Sequence, residues 1–472
     1  MGSKAKAFDE ARKRGTMIAE ELRSSQKDFR MRGNEVWRPK IQKVPDYMGG
    51  RQEFKTSYTP TLISIGPLHW YKLYMGQGSE YKRRWTAMYL QDTNQTYDCL
   101  FERLYSSFED SENILWCSYN CVGIEGEDNY QDENIKHSND DNGTKDWMET
   151  YFMLMEDGCS ILQVLDRSLG SKNPEKELMV STDKLVRVHQ DLLLLENQLP
   201  YEFLKLICND TARLKRCMRN FLVIHGVEKN EELSTIVQVQ EEKEEEEPLH
   251  LLDYLRRTLL RRDHMQIHKE IKLKKMKRRS LHFRKYRIGT IRELQAAGIQ
   301  VSKCPHSTSF YPSFDTSEGK LQLPEITVDG STATMFLNLI AYEMCPDFNN
   351  NFEISSFIVF LSSLIDQPED AKELRLAGIL RNELATDKEV ADLFNKMDIV
   401  LVPETTRFAD IRDQIEAHFA SKRGKIKVMG WMVEAYNNYF RSPWAIIALL
   451  AAILGLTLTF IQTWYAIHPK GS

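Results

Sequence analysis

Apolar positions along the chain change their spacing several times, and each change predicts a different element. Residues 5–30 place Phe8, Ala11, Gly15, Ile18, Leu22, Ser25 and Phe29 at alternating three- and four-residue steps, a short heptad seam. That seam suits a helix docked on its own domain or one offered to a partner. From Ile41 the pattern turns apolar and Pro-rich (IQKVPDYMGG, then YTPTLISIGPLHW), which predicts extended segments and turns. Helical spacing follows from Lys82 to about Leu104 and on through the Trp116 region. Residues 123–146 are acidic and rich in Asn and Gly, a solvated loop. Two runs, WMETYFMLMEDGCSILQVLDRSL and TDKLVRVHQDLLLLENQLPYEFLKLICND, are too apolar to stand exposed and read as core helices. EEKEEEEP at 241–248 reads as a linker. An apolar-faced helix with a strongly basic end comes next. Residues 299–329 carry turn signals and short alternating runs, a small β element. The rest returns to helical spacing in TATMFLNLIAYEMC, FEISSFIVFLSSLID and ELRLAGILRNELATDKEVADLFNKM.

The C-terminal pattern is different in kind. Residues 442–467 carry no charge, and ten Ile, Leu or Phe residues lie between Trp444 and Ile461. A bilayer span needs about 20 apolar residues. These ten favour insertion by about 3–6 kcal/mol. Trp444 stands at one margin and Trp464 and Tyr465 at the other, as interfacial belts require. Ile447, Leu450, Leu454 and Leu458 supply the lipid-facing body of the expected anchor. Lys422, Arg423, Lys425, Lys427 and Arg441 precede the stretch, and Lys470 follows it. With no apolar secretory signal at the N-terminus, this predicts a tail-anchored protein. The bilayer is its first expected partner, and the bulk of the chain lies in the cytosol. The sequons at Asn94, Asn142 and Asn209 are the feature that a luminal domain would use instead.

The expected fold class is therefore mainly α. A large helical domain carries a small β element and ends in one transmembrane helix. The boundaries are a charged amphipathic segment at 1–40, a domain at 41–440 and a span at 442–467. The domain divides into halves at 41–228 and 249–440, joined by an acidic linker at 229–248.

Composition narrows the function. The chain has 472 residues, a net charge of -5, 42% hydrophobic and 28% charged residues. That balance buries a core and argues against a nucleic-acid partner, which would call for a basic chain. Eight cysteines at 99, 117, 121, 159, 208, 217, 304 and 345 form no CxxC pair. They fit reduced thiols rather than a disulfide framework or a zinc site. His264 and His268 share a helix face but are two ligands where zinc needs three or four. Gly76 and Gly78 lack the third glycine of a dinucleotide loop. No cofactor or metal is expected. The basic run 272–279 pairs with the acidic 241–247 block, meets anionic lipid, or serves nuclear import or nucleic-acid contact, the last disfavoured by a terminal membrane anchor.

Two constellations carry possible chemistry. Asp157, Cys159 and Ser160 form a polar break between apolar runs, and His189 lies on the next core helix. A Cys or Ser nucleophile needs a base held beside it, so this is the candidate for a hydrolase or acyltransferase. Its alternative is a polar cluster with a buried thiol. Glu196, Asn197 and Gln198 follow four leucines and precede Leu199-Pro200. Their side chains can bond the carbonyls that a proline-broken helix leaves free; a ligand-binding carboxylate is the alternative.

Read in order, nine stretches resemble one family. They are IQKVP, YTPTLISIGPLHW, FMLMEDGCSILQVL, DLLLLENQLPYEFL, HLLDYL, LQLPEITVDGSTATMFLNLIAYE, FLSSLID, NELATDKEVADLFN and PWAIIALLAAILGLTLTFIQTWY. The chain is thereby similar to the plant domain-of-unknown-function 247 family, or uncharacterised protein family 0481. The resemblance implies plant origin, a large helical domain and a C-terminal membrane helix, with no established activity. It marks Gly66, Pro67, Asp157, Gly158, Glu196, Asn197, Gln198 and Pro200 as family motif positions. Ser160 and Glu202 depart from the family's usual aromatic and apolar residues. Some grass members are linked to self-incompatibility, which implies pollen recognition as one role. The function expected is thus a membrane-anchored, non-catalytic recognition or signalling protein with an unknown protein partner.

Overall fold

The computed structural model describes residues 41–69, 76–106, 119, 143–228, 247–261, 288–304, 311–345, 348, 351–398, 408, 410–420 and 443–467. The seam at Phe8–Phe29, residues 123–142 of the loop expected at 123–146, most of the acidic linker, His264, His268 and the 272–279 basic run lie outside the described residues; residues 143–146 of that loop are helical instead.

The chain is mainly helical. Helix α1 (Gln77–Asp92) buries Lys82, Trp85, Thr86 and Tyr89, a face with three- and four-residue spacing. The expected continuous helix to Leu104 is broken: α2 begins afresh at Tyr97 and runs to Ser106. Asn94 sits in the break at φ 52°, a left-handed conformation that asparagine tolerates better than most residues. Helix α3 (Gly143–Gly170) runs unbroken through the polar residues at 157–160. Its side chains are described from Tyr151 onward, and α1 and α6 pack along it. Helices α4 (Thr182–Asp191), α5 (Tyr201–Ile207) and α6 (Thr211–Ile224) follow. Asp210 caps α6, accepting from the Ala212 and Arg213 amides at 2.9 and 3.2 Å.

Helix α7 (Leu251–Arg261) leads into the second half, where α8 (Ile291–Ala296) opens with a Thr290–Glu293 capping box. The expected β element is present as four strands: β1 (Gln300–Lys303), β2 (Ser313–Asp315), β3 (Lys320–Leu323) and β4 (Ile326–Val328). The first sheet has the order β1-β3-β2, with β1 parallel and β2 antiparallel to β3. Helices α9 (Thr332–Glu343), α10 (Glu353–Leu364), α11 (Pro368–Leu376) and α12 (Asp387–Asp398) complete the half. A fifth strand, β5 (Leu380–Asn382), interrupts what the spacing predicts as one helical stretch. It pairs in parallel with β4, Ile326 opposite Leu380. One hydrophobic core runs through both halves, from Ile41 to Ile415.

The C-terminal expectation needs correction. Helix α13 (Pro443–Ile467) forms, yet among the described residues no helix is long and apolar enough to cross a membrane. The side chains of α13 are described for 451–464, all of them exposed. Leu454, Leu458 and Trp464 are among the exposed residues; the side chains of Trp444, Ile447, Leu450 and Tyr465 lie outside those described. The transmembrane element of the fold class is not supported. The single-span localisation and the bilayer partner that rested on it lose that support too.

Candidate functional site

The motif residues converge on residues 41–69, a largely non-helical strap in which the amides of Val44, Thr61, Leu62, Ile63, Ile65 and Gly66 bond to side chains. Buried amides need acceptors, and side chains from far along the chain supply them. Asp191, at the end of α4, accepts from the Thr61, Leu62 and Ile63 amides at 2.8, 2.8 and 2.9 Å. Asn197 accepts from the Ile65 amide at 2.6 Å and donates to the carbonyls of Ile63 and Asp191. Asp157 accepts from the Gly66 amide at 2.9 Å, and Glu196 from the Val44 amide at 2.7 Å. The other Glu196 oxygen lies 2.7 Å from His69 Nε2, at ion-pair distance.

Gln198 serves the other direction. Its amide nitrogen donates to the carbonyls of Leu192 and Leu194, each at 2.9 Å, and its oxygen accepts from the Leu252 amide at 3.0 Å. The four leucines are thus not helical as expected. They form a buried turn between α4 and α5, whose freed carbonyls the glutamine satisfies. Pro200 precedes α5 with φ -58°. Gly66 has φ 72°, and a Cβ there would lie 3.0 Å from both the Gln198 carbonyl oxygen and the Tyr119 hydroxyl. That close approach and left-handed backbone require glycine. Half-buried Pro67 continues the strap from it.

Lys82 completes the cluster, a residue that motif reading passes over. Its ammonium donates to the Ser64 carbonyl at 2.9 Å and to Asp157 at 2.5 Å. The pair is desolvated, with side chains 8% and 0% exposed. Burial pushes the Asp157 carboxyl up, and Lys82 and the Gly66 amide oppose that rise. The signal was present in the sequence: Lys82 falls in line with Trp85, Thr86 and Tyr89 on the apolar face of α1. A second buried carboxylate works alike in the other half. Glu343 accepts from Arg256 at 2.8 Å and from the Ile354 and Ser355 amides at 2.9 Å each, fastening the start of α10.

The candidate nucleophiles are placed otherwise than catalysis requires. Cys159 is 0% exposed, and burial pushes its thiol up to about 12. A thiolate is the nucleophile, and this thiol is held protonated. Ser160 Oγ donates to the Asp157 carbonyl at 2.8 Å. His189 reaches neither. Its Nε2 lies 2.9 Å from Ser168 Oγ, and Ser168 donates its one proton to the Val164 carbonyl at 2.7 Å. The His189 ring is thus engaged with Ser168 and not with Cys159 or Ser160. Burial pulls the His189 pKa down to about 4.

A different feature faces outward. Tyr97, Phe101 and Tyr105 lie four residues apart along α2, and Phe152 of α3 stacks beside them. Ring centroids are 6.4 Å for Tyr97–Phe152, 5.0 Å for Phe101–Phe152 and 5.6 Å for Phe101–Tyr105. Tyr97, Tyr105 and Phe152 are 39%, 53% and 37% exposed. Sequence reading missed this face because helical spacing alone does not say which apolar stripe turns inward; here Leu100 and Leu104 take the core.

Residues 41–458 match the DUF247 family, described as a plant protein of unknown function. UPF0481 protein At3g47200 of Arabidopsis thaliana is 24% identical over 424 residues, covering 87% of this chain and 83% of its own. Putative UPF0481 protein At3g02645 of the same plant is 30% identical over 175 residues, 37% of this chain and 32% of its own. No solved structure matches the chain. A match running from the strap through both halves leaves one conclusion: the chain belongs to the plant DUF247 family.

Proposed function

We propose that this family member is a non-catalytic protein-recognition component. What carries the reading is the aromatic face of α2 and α3, where exposed Tyr97, Tyr105 and Phe152 gather around half-buried Phe101, on a firmly pinned scaffold. Large aromatics dominate interface energetics because they bury much area at low entropic cost. Grouped and exposed, they mark an interaction site more often than single surface residues do. The polar motif residues support the same reading from the other side. Asp157, Asp191, Glu196, Asn197 and Gln198 spend their hydrogen bonds on the strap and the leucine turn. They hold shape.

The test is a photo-crosslinking amino acid in place of Tyr105 in the full-length protein, expressed in plant cells. A discrete protein adduct that weakens with Tyr97→Ala is the expected result. Irradiation that yields no adduct overturns recognition through this face. Labelling by a serine- or cysteine-directed activity probe that Cys159→Ala or Ser160→Ala abolishes would overturn the non-catalytic part.

A further inference from the structure

Resting on that reading, we infer that the face of α2 and α3 receives a basic peptide segment of the partner, its lysine or arginine side chains lying over the exposed rings. The argument starts from helix geometry. Tyr97, Phe101 and Tyr105 form one stripe by their four-residue spacing. Leu100 and Leu104 border it on one side and enter the core. Asp98 and Glu102, both exposed, sit roughly 100° further round the helix and border it on the other. The rings thus lie between buried leucines and a row of carboxylates.

The opposite margin is acidic as well. Glu156 is four residues from Phe152 on α3, so it lies one turn along the same face. It stands close enough to Tyr97 to add to the rise that burial causes in the tyrosine hydroxyl. Burial pushes the Glu156 carboxyl itself up, and Lys82 and Arg83 oppose that rise, Arg83 Nε at 3.9 Å. The base nearest the stripe in sequence, Arg103, turns its guanidinium to the Ile207 carbonyl at 2.8 Å. Among the described residues the face therefore offers ring faces and the exposed carboxylates of Asp98 and Glu102, with Arg83 confined to the Glu156 margin. Ring faces attract ammonium and guanidinium groups, and flanking carboxylates select that charge over its opposite. The stripe from Tyr97 to Tyr105 spans about 12 Å, room for about four residues of extended chain. That length suits a peptide rather than a single small cation.

The test uses the full-length protein and two fluorescent peptide probes, one alternating lysine and valine, the other alternating glutamate and valine. The lysine probe is expected to bind and the glutamate probe not to. Glu102→Lys should weaken the lysine probe about tenfold or more. Tyr97→Ala should do the same, and Tyr97→Phe should restore it because the ring suffices. Both positions changed are exposed, and an unchanged melting temperature checks that each of the three variants is folded. Equal binding of the two probes, or lysine-probe binding unmoved by Glu102→Lys, overturns the inference. The crosslink at position 105 separates this from the recognition reading. Adducts mapping to a partner segment without lysine or arginine sink the basic peptide while leaving recognition in place; irradiation that gives no adduct removes recognition itself.

Discussion

Lys82→Met tests whether the buried ion pair holds the strap. The substitution keeps an unbranched apolar stem on the core face of α1 and removes the ammonium. It leaves Asp157, 0% exposed, with the Gly66 amide but without its cation, and the Ser64 carbonyl without its donor. Surface ion pairs are worth under about 1 kcal/mol, but this pair is desolvated on both sides. Breaking a buried pair from one side costs about 3–5 kcal/mol, because the remaining charge stays buried. Adding Asp157→Asn removes that charge, and the asparagine oxygen still accepts from Gly66. The double variant should therefore be about 2 kcal/mol more stable than Lys82→Met alone. Urea unfolding is the assay, followed by circular dichroism and by Trp85 fluorescence, since that buried ring sits one turn from Lys82. The sign with pH is fixed as well. The Asp157 carboxyl is raised in the fold relative to its ordinary value, so its contribution is most favourable below the ordinary carboxylate range and is lost as pH rises through the folded value. Without Lys82 the rise is larger, so the penalty of Lys82→Met should be greatest near neutral pH and shrink toward pH 4. A penalty under about 1 kcal/mol, or strictly additive single and double variants, would refute the reasoning.

Three further outcomes follow from the same geometry. Asp191→Ala orphans the amides of Thr61, Leu62 and Ile63; at about 1–3 kcal/mol for each buried one, limited proteolysis should cut first within 41–69, and an unchanged cleavage pattern counts against the strap's dependence on it. Gly158→Ala places a methyl 2.2 Å from Ile207 Cδ1; overpacking should cost about 1–3 kcal/mol, and Ile207→Val should recover part of the melting temperature, whereas no recovery points to another cause. His189 and His250, both pulled down to about 4 by burial, are depressed relative to the unfolded chain. Their stability is present above about pH 6.5 and is lost as pH falls toward 4, so denaturation midpoints should drop over that window, and a flat profile would show that these rings stay solvated.

The local pattern carried the helices that have one apolar face. Trp85, Thr86 and Tyr89 repeat with Lys82 at three- and four-residue steps, and α1 forms there. The short alternating runs near 300–328 likewise became strands, because a two-residue period suits a half-buried pleat. The same pattern misled where the deciding partner was distant. Leu192 to Leu195 read as helix, but a turn wins because Gln198 satisfies the carbonyls of Leu192 and Leu194 and Asn338 accepts from the Leu195 amide. Strand β5 was hidden because its three residues need β4, more than fifty positions earlier, to be a strand at all. The uncharged C-terminal run was read correctly as helical and wrongly extended to a span.

The motif positions show the same division most sharply. That Glu196, Asn197 and Gln198 would serve a proline-broken helix could be argued from their donors and acceptors. Which groups they would serve could not, for the strap amides lie 128 to 152 residues away from Asp191, Asn197 and Glu196 along the chain. Periodicity is a property of neighbours in sequence, so the sequence by itself determined which segments bury a face. Pairing of a charge, and the exposure of Tyr97, Tyr105 and Phe152, depend on which surfaces meet when the segments pack, and only the tertiary structure decided that Asp157 lies inside against Lys82 while the aromatic stripe of α2 faces out.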